Sequence, residues 1–413
     1  MLLRARIVLP VGSPPIDDGA VWISGGHIQR IGPWSERGAT PAVPVVDLGD
    51  VVLLPGLINA HCHLDYTDMA GRLSPAKHFS DWIKAIVALK SGWSYTDYAI
   101  SWLNGADMLL RSGTTTVVDI EAVPELLPDL PTDTPLRVIS CLELLALRSP
   151  RGATALVQEA VARLDGARLF APGLSPHAPY STSPELLRLA AAAARARNWL
   201  LTTHVAESDD ESEMFQRASG AMHDWLKHQR DMTDCDGRSP VRHLALNDVL
   251  GSNFLAVHVN YLAPGDAELL ARSGSSVVHC PRSHAFFGHH PFPLAELERA
   301  GVNVCLGTDS LATVTRSRTE PPRLSMLAEM RALATVAPGL APPRILEMVT
   351  THAARALGRA GEIGVLAPGA RADLIALPFT GDAATACEAV LHHRVEVTAS
   401  MIGGQWAIAP ADL

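Results

Sequence analysis

Lysine is nearly missing from this chain. Among 413 residues and 34 basic side chains only four are lysines, Lys77, Lys84, Lys90 and Lys227, whereas histidine occurs 17 times. Cysteine is sparse as well: six residues, at positions 62, 141, 235, 280, 305 and 387, none in a CxxC pair. That pattern excludes a disulfide framework and a cysteine zinc knot, and makes a reducing, cytoplasmic setting the expectation. No apolar run reaches the roughly 18 to 20 residues of a membrane-spanning helix, and no charged-then-apolar signal segment opens the chain. Acidic residues outnumber basic ones, 43 to 34, giving a net charge of −9. Neither nucleic acid nor an anionic membrane is therefore an expected partner.

What the chain does have is a 47% apolar composition and length enough for two or three average domains, or for one large barrel with an appendage. The first 50 residues read as short strands broken by Gly and Pro turns: ARIVLPV, GAVWISGGHIQRIG, PVVDLGD. The same texture returns in GEIGVLAPGARADLIAL and VEVTASMIGGQWAI. We expect a small composite β-sandwich domain from both termini, residues 1–53 and 361–413. Between them, over 54–360, eight short apolar runs alternate with helical stretches such as PELLRLAAAAARARN and PGDAELLARSG. The runs are VLLPGLINAHCH, GTTTVVDI, RVISCLELLA, RLFAPGLSPHA, WLLTTHV, FLAVHVNYL, SSVVHCP and VNVCLGTD. This alternation predicts an α/β fold, a (β/α)8 TIM barrel, and no GxGxxG follows the first run to favour a doubly wound sheet.

Barrel enzymes collect their chemistry where strands end, on the C-terminal face. The first run ends in His61-Cys62-His63, and side-chain alternation puts both histidines on one side. The fifth run ends in His204, with Glu207 three residues on; the sixth carries His258 and the eighth ends in Asp309. Imidazoles with a carboxylate suit one divalent metal ion, Zn²⁺ first and Fe²⁺ second, with water completing the site.

Seven segments carry a resemblance: PGLINAHCHLD (55–65), SPHAPYS (175–181), THVAES (203–208), AVHVNYL (256–262), HCPRSH (279–284), LGTDS (306–310) and PGARADLI (368–375). Together they resemble the amidohydrolase superfamily, in its mononuclear deaminase and chlorohydrolase branch. The resemblance implies metal ligation by His61, His63, His204 and Asp309, with Glu207, His258 and Asp309 as catalytic groups. Glu207 would be the proton shuttle and His258 a partner of the attacking water. Many two-metal relatives bridge their metals with a carbamylated lysine on the fourth strand. This chain has no lysine between Lys90 and Lys227, so one metal is the reading; Glu143 is a conceivable substitute bridge, with a structural role the simpler one.

The implied reaction is hydrolytic deamination of an amino-substituted nitrogen heterocycle, with ammonia leaving. His177, Arg282, Ser283, Arg148 and Trp82 are the candidate substrate contacts. Insertions at 65–104 and 208–247 should cover the mouth, and Phe79, Trp82, Trp93 and Trp102 could stack a flat base. The run VAES…ESEMF…SPVRHL, with HVNYLAPGD and HCPRSHAFFG, looks most like the aminodeoxyfutalosine deaminases of menaquinone biosynthesis. It departs from them at His284 and at Leu311-Ala312-Thr313. A substrate benzoate would want a cation from Arg148, Arg282, Lys84 or Lys90. S-adenosylhomocysteine, methylthioadenosine and adenosine are the runner-up substrates, followed by guanine-type bases and aminotriazines; a chlorohydrolase would expel halide instead. The expected partner is thus a small nucleoside or heterocyclic amine, and a homodimer is compatible with the branch.

Overall fold

The chain opens with five strands, β1 (Leu2–Val8), β2 (Ile16–Ser24), β3 (His27–Pro33), β4 (Val45–Asp47) and β5 (Val51–Pro55). The computed structural model describes residues 1–36, 43–147, 151–315 and 321–411. Eight central strands follow: β6 (Leu57–Cys62), β7 (Thr114–Glu121), β8 (Arg137–Leu144), β9 (Ala171–Pro176), β10 (Leu200–Val205), β11 (Phe254–His258), β12 (Ser276–His279) and β13 (Asn303–Leu306). The chain ends with β14 (Leu374–Pro378), β15 (Ala399–Ile402) and β16 (Gln405–Ile408).

All eight central runs become strands of one parallel sheet in sequential order, the near-closed barrel of a (β/α)8 fold. Closure falls at the active end. The backbone N–H groups of Thr308 and Asp309 donate to the His61 carbonyl at 3.0 and 3.2 Å. Asn59 clasps Thr308 twice, through its amide N–H₂ to Oγ1 at 2.8 Å and its carbonyl to the Thr308 N–H at 3.0 Å. Gly307 is required there, because a Cβ would lie 2.8 Å from the His61 carbonyl oxygen.

The outer sheet runs β16-β15-β14-β5-β1-β2-β3, with β4 on β1, so strands from both ends of the chain share it. Alternation along β5 and β14 gives it two apolar faces. Val51, Leu53, Leu374 and Ala376 fill a core of the sheet's own, while Val52, Leu54, Ile375 and Leu377 join the barrel's main core. A buried ion pair ties the two sheets together. Both guanidinium Nη groups of Arg137, on β8, donate to Asp373, one step before β14, and Asp373 also accepts from the Gly403 N–H at 2.7 Å. Asp373 is 2% exposed, so removing it strands a buried guanidinium. Asp373→Ala should cost about 3–5 kcal/mol, read as a lower denaturant midpoint.

Barrel helices follow local signals. In Pro184–Arg197 the Ser183 hydroxyl caps the Leu186 N–H, Pro fills the first position, and Asn198 ends the helix at φ 55°. Leu186, Leu187, Ala190, Ala191 and Ala194 form its buried stripe.

Both insertions fold as helices near the mouth. The first contains Phe79–Lys90, whose Phe79, Trp82 and Ile86 are buried, and Tyr95–Arg111; the second contains Asp209–Arg217, Gly220–Leu226 and Pro240–Leu246. Among the described residues no helix is long and apolar enough to cross a membrane.

Candidate active site

The side chains at the strand ends converge because the backbone there is bent out of ordinary extended geometry. His258 (φ 77°), Val259 (φ 52°), Ala206 (φ 50°) and Asp309 (φ 54°) all occupy the left-handed region without being glycine. Such residues cost about 1–3 kcal/mol each and persist where surrounding contacts hold them. Here Val205 and Ala206 accept backbone bonds from Val259 and Tyr261, and the Asn260 side chain donates to the Glu207 carbonyl at 2.9 Å.

Five groups meet at the barrel mouth. The rings of His61 and His63 lie 5.0 Å apart, and His204 is 4.9 Å from His61. His204 Nδ1 donates to the His177 carbonyl at 2.8 Å, which leaves its Nε2 a bare acceptor only 3.3 Å from His63 Nε2. Asp309 Oδ1 stands 3.8 Å from Nε2 of both His61 and His63. Neither ring nitrogen of His61 has a hydrogen-bond partner, although the residue is fully buried. Unpartnered imidazole nitrogens gathered around a carboxylate need a cation between them. The spacings suit one, since tetrahedral bonds of about 2.0–2.1 Å put ligand atoms roughly 3.3–3.4 Å apart. Within the described residues, ligand atoms of His61, His204 and His258, and of His61, His63 and Asp309, lie within 4.8 Å of one another in each trio.

Charge states follow from burial. Desolvation holds His63 and His258 well below the usual imidazole range and His204 down at about 3, so all three are neutral donors. Burial would raise Asp309, but the surrounding imidazoles of His61, His258 and His63 outweigh it, and the carboxylate is held well below its ordinary range. Glu207 goes the other way. Burial, then the charges of Asp309 and Glu211, push it well above the carboxylate range and favour its protonated form. Its Oε1 lies 3.5 Å from His258 Nε2.

These groups open into a cavity of about 650 Å³, lined also by His177, Tyr66, Phe79, Trp82, Lys90 and Glu143. His177 is oriented by Ser181, at 2.6 Å from its Nδ1. Two of the four candidate stacking aromatics, Phe79 and Trp82, line this space. Trp102 does not: it is fully buried and donates to Asp119 at 2.7 Å. Trp93 packs instead on Tyr98.

Two of the expected substrate contacts, Arg282 and Ser283, are placed differently. Arg282 turns away from the mouth, binding Glu329 at 2.5 Å and the Arg323 carbonyl at 2.9 Å, because fully buried Glu329 needs a cation. It borders a separate groove of about 550 Å³. Ser283 is buried behind the site, where its hydroxyl donates to Asp309 Oδ2 at 2.7 Å. Arg148 lies outside the described residues. Ser283 therefore orients Asp309 and leaves Oδ1 facing the histidines. Removing a hydrogen bond to a charged group costs about 1.5–3 kcal/mol. Ser283→Ala should lower kcat roughly tenfold to a hundredfold with little change in KM, and Ser283→Thr should restore most of it in steady-state kinetics.

Other contributors carried no signal in the sequence. Tyr66 stacks on His63 at 5.3 Å and 5°, Thr313 Oγ1 stands 3.2 Å from Asp309 Oδ2, and Glu211 accepts the Glu207 N–H at 2.9 Å. Only the i, i+4 spacing of Glu207 and Glu211 could have hinted at the last.

A polar centre held by strained strand ends at the mouth of a parallel barrel defines a class, the (β/α)8-barrel enzymes. The chain belongs to the amidohydrolase family, whose model matches residues 52–407, and it is a hydrolase acting on carbon–nitrogen bonds other than peptide bonds. It is 32% identical over 376 residues to a 5-methylthioadenosine/S-adenosylhomocysteine deaminase of Syntrophobacter fumaroxidans, covering 88% of this chain and 80% of that one. Its fold matches an adenosine deaminase from Xanthomonas campestris solved with bound zinc, at TM-score 0.85 and 22% identity, over 100% of this chain and 93% of that one. It matches equally an aminofutalosine deaminase of Helicobacter pylori in complex with methylthio-coformycin, at TM-score 0.85 and 22% identity, over 98% and 99% of the two chains. Family and relatives together support deamination of an adenosine-like substrate.

Proposed function

We propose that this protein is a metal-dependent deaminase of 6-aminopurine nucleosides, with 6-amino-6-deoxyfutalosine the favoured substrate. The observation that carries the deaminase reading is the gathering of two buried carboxylates in one mouth, Glu207 at 3.5 Å from His258 Nε2 and Asp309 at 3.8 Å from Nε2 of His61 and His63, with burial raising the first pKa and the imidazoles lowering the second. Hydrolytic deamination needs both an acid and a base. In this reading His61, His63, His204 and Asp309 hold one divalent ion, Zn²⁺ before Fe²⁺. When bound, the ion acts as a Lewis acid and lowers the pKa of a coordinated water toward about 7. Asp309 accepts a proton from the attacking water, and His258 Nε2 holds the water oxygen. Glu207 delivers its proton to the ring nitrogen beside the amine-bearing carbon, which makes that carbon more electrophilic. Asp309 then passes the proton it took to the amine nitrogen, the carbon–nitrogen bond breaks to release ammonia, and the hydroxyl proton shed as the carbonyl forms returns to Glu207.

The substrate reading is supported by the shape of the cavity. Phe79, Trp82, Ile86, Leu147 and Trp225 give it an apolar wall, and Lys84 and Lys90 stand beside them. A benzoate-bearing nucleoside suits both features. The second reading, methylthioadenosine or S-adenosylhomocysteine, is favoured by the 32% identical relative of that name. Six free cysteines suit the reducing, cytoplasmic compartment in which such nucleosides would be met. The deciding experiment measures ammonia release from aminodeoxyfutalosine, S-adenosylhomocysteine, methylthioadenosine, adenosine, guanine and an aminotriazine. Turnover of the triazine alone, or chloride release from a chlorotriazine, would overturn the nucleoside reading.

A further inference from the structure

The short helix Pro281–Phe287 follows β12, and no residue of it lines the catalytic cavity. Its first polar side chains nevertheless all have fixed partners. Arg282 binds fully buried Glu329 through its backbone N–H at 3.0 Å and its Nε at 2.5 Å, which moors the helix. Ser283 donates to Asp309 Oδ2 at 2.7 Å. His284 reaches Asn260, with Nδ1 at 3.0 Å from Oδ1.

Asn260 is a link. Its amide donates to the Glu207 carbonyl at 2.9 Å. That oxygen only accepts, so the atom facing it is Nδ2, and Oδ1 is turned toward the His284 ring. Oδ1 also only accepts, so His284 Nδ1 carries the proton between them. The direction of both bonds is thereby set, from His284 to Asn260 and from Asn260 to Glu207. Asn260 is buried, so losing its partner leaves an acceptor that bulk water does not reach. Packing holds the His284 ring in place: His279 lies edge-on at 5.2 Å, His289 at 5.4 Å, and His279 is itself stacked on Phe292 at 3.8 Å.

Glu207 stands where such a hold matters. It follows Ala206, which is in the left-handed region, and it faces the end of β11, where His258 and Val259 are bent in the same way. Its N–H donates to Glu211 Oε2 at 2.9 Å and its carbonyl accepts from Asn260, so side chains grip both polar atoms of its backbone. The two grips fix where its carboxyl stands, 3.5 Å from His258 Nε2.

We propose that His284 is a positioning residue for Glu207, acting through Asn260. The helix Pro281–Phe287 then orients both carboxylates of the reaction, Asp309 through Ser283 and Glu207 through His284. This rests on the deaminase reading above, in which Asp309 takes a proton and Glu207 gives one. Because His284 lies outside the cavity, its loss slows proton transfer and leaves substrate binding alone.

The test reads ammonia release by the metal-loaded enzyme from aminodeoxyfutalosine, S-adenosylhomocysteine, methylthioadenosine and adenosine. His284→Ala should lower kcat about tenfold, with KM within about twofold of wild type and the bound metal unchanged. Asparagine offers an amide N–H close to the place of Nδ1, so His284→Asn should return kcat to within about threefold of wild type. The loss should also depend on the acid it serves. In a Glu207→Gln background, His284→Ala should change the remaining kcat by less than about twofold, because no acidic proton is left to place. A merely structural role for His284 predicts the reverse: losses that multiply in the double variant, and no rescue by Asn. Either of those results, or wild-type kcat in His284→Ala, would overturn the inference while leaving the deaminase reading intact. If none of the four nucleosides releases ammonia, the deaminase reading fails first and takes the inference with it.

Discussion

Glu207→Gln should abolish most turnover while leaving the fold intact. The amide is nearly isosteric but has no acidic proton for the ring nitrogen, and positioned general acids contribute about 10²–10⁴-fold. We expect kcat to fall by that factor, with bound metal and the thermal midpoint close to wild type. The pH profile provides a second readout. Burial and the charges of Asp309 and Glu211 raise the Glu207 pKa well above the ordinary range, and the reaction needs the protonated form. Activity is therefore present below that pKa and declines as pH rises through it. Asp309 must be ionised, and its pKa is held low, so its limb falls on the acid side, where activity is lost as pH drops. The plateau should span neutrality. In Glu207→Gln the residual activity should no longer decline on the alkaline limb. Wild-type turnover in this variant would remove Glu207 from the mechanism.

Stripping the metal, or replacing His61 with Ala, should have the other large effect. His61 is fully buried and neither of its ring nitrogens has a partner. A Lewis acid supplies several kcal/mol of transition-state stabilisation, and each 1.4 kcal/mol is a factor of ten. We therefore expect a chelator-treated protein to lose activity by about 10³-fold or more. Zn²⁺ or Fe²⁺ should restore it, and which ion restores the greater rate identifies the working metal. Rebinding at a thousand times Kd should also stabilise the protein by about 4 kcal/mol, visible as a higher thermal midpoint. His61→Ala should not respond to added metal on either measure. Full activity after exhaustive chelation would exclude the metal-dependent reading.

The barrel was legible because its signals are local. Each strand is a short apolar run, each helix carries its cap and its stripe, and the two periods alternate along the chain. The polar strand ends were legible for a related reason: in a parallel barrel every strand end opens on the same face, so His61, His204, His258 and Asp309 could be expected to meet before any distance was known. Substrate contacts were not legible in this way. Arg282 and Ser283 are adjacent in a short helix, and the sequence cannot tell which side of it faces the cavity. In the fold Arg282 is drawn outward by Glu329, 47 residues away, and Ser283 is spent on Asp309. Trp102 reads like any lid aromatic until Asp119 claims its indole N–H.

The sequence alone therefore determined the architecture, the family and the set of groups at the mouth, including the lack of any lysine on the fourth strand. Those properties depend on periodicity and on which residue types stand at strand ends. Only the tertiary structure decided that burial raises the Glu207 pKa, that Asp309 is steered by Ser283, that Asp373 anchors the outer sheet to Arg137, and that Lys84 and Lys90 share the catalytic cavity. Burial, charge and orientation arise from contacts between residues far apart in the chain, and no pattern in the sequence encodes those distances.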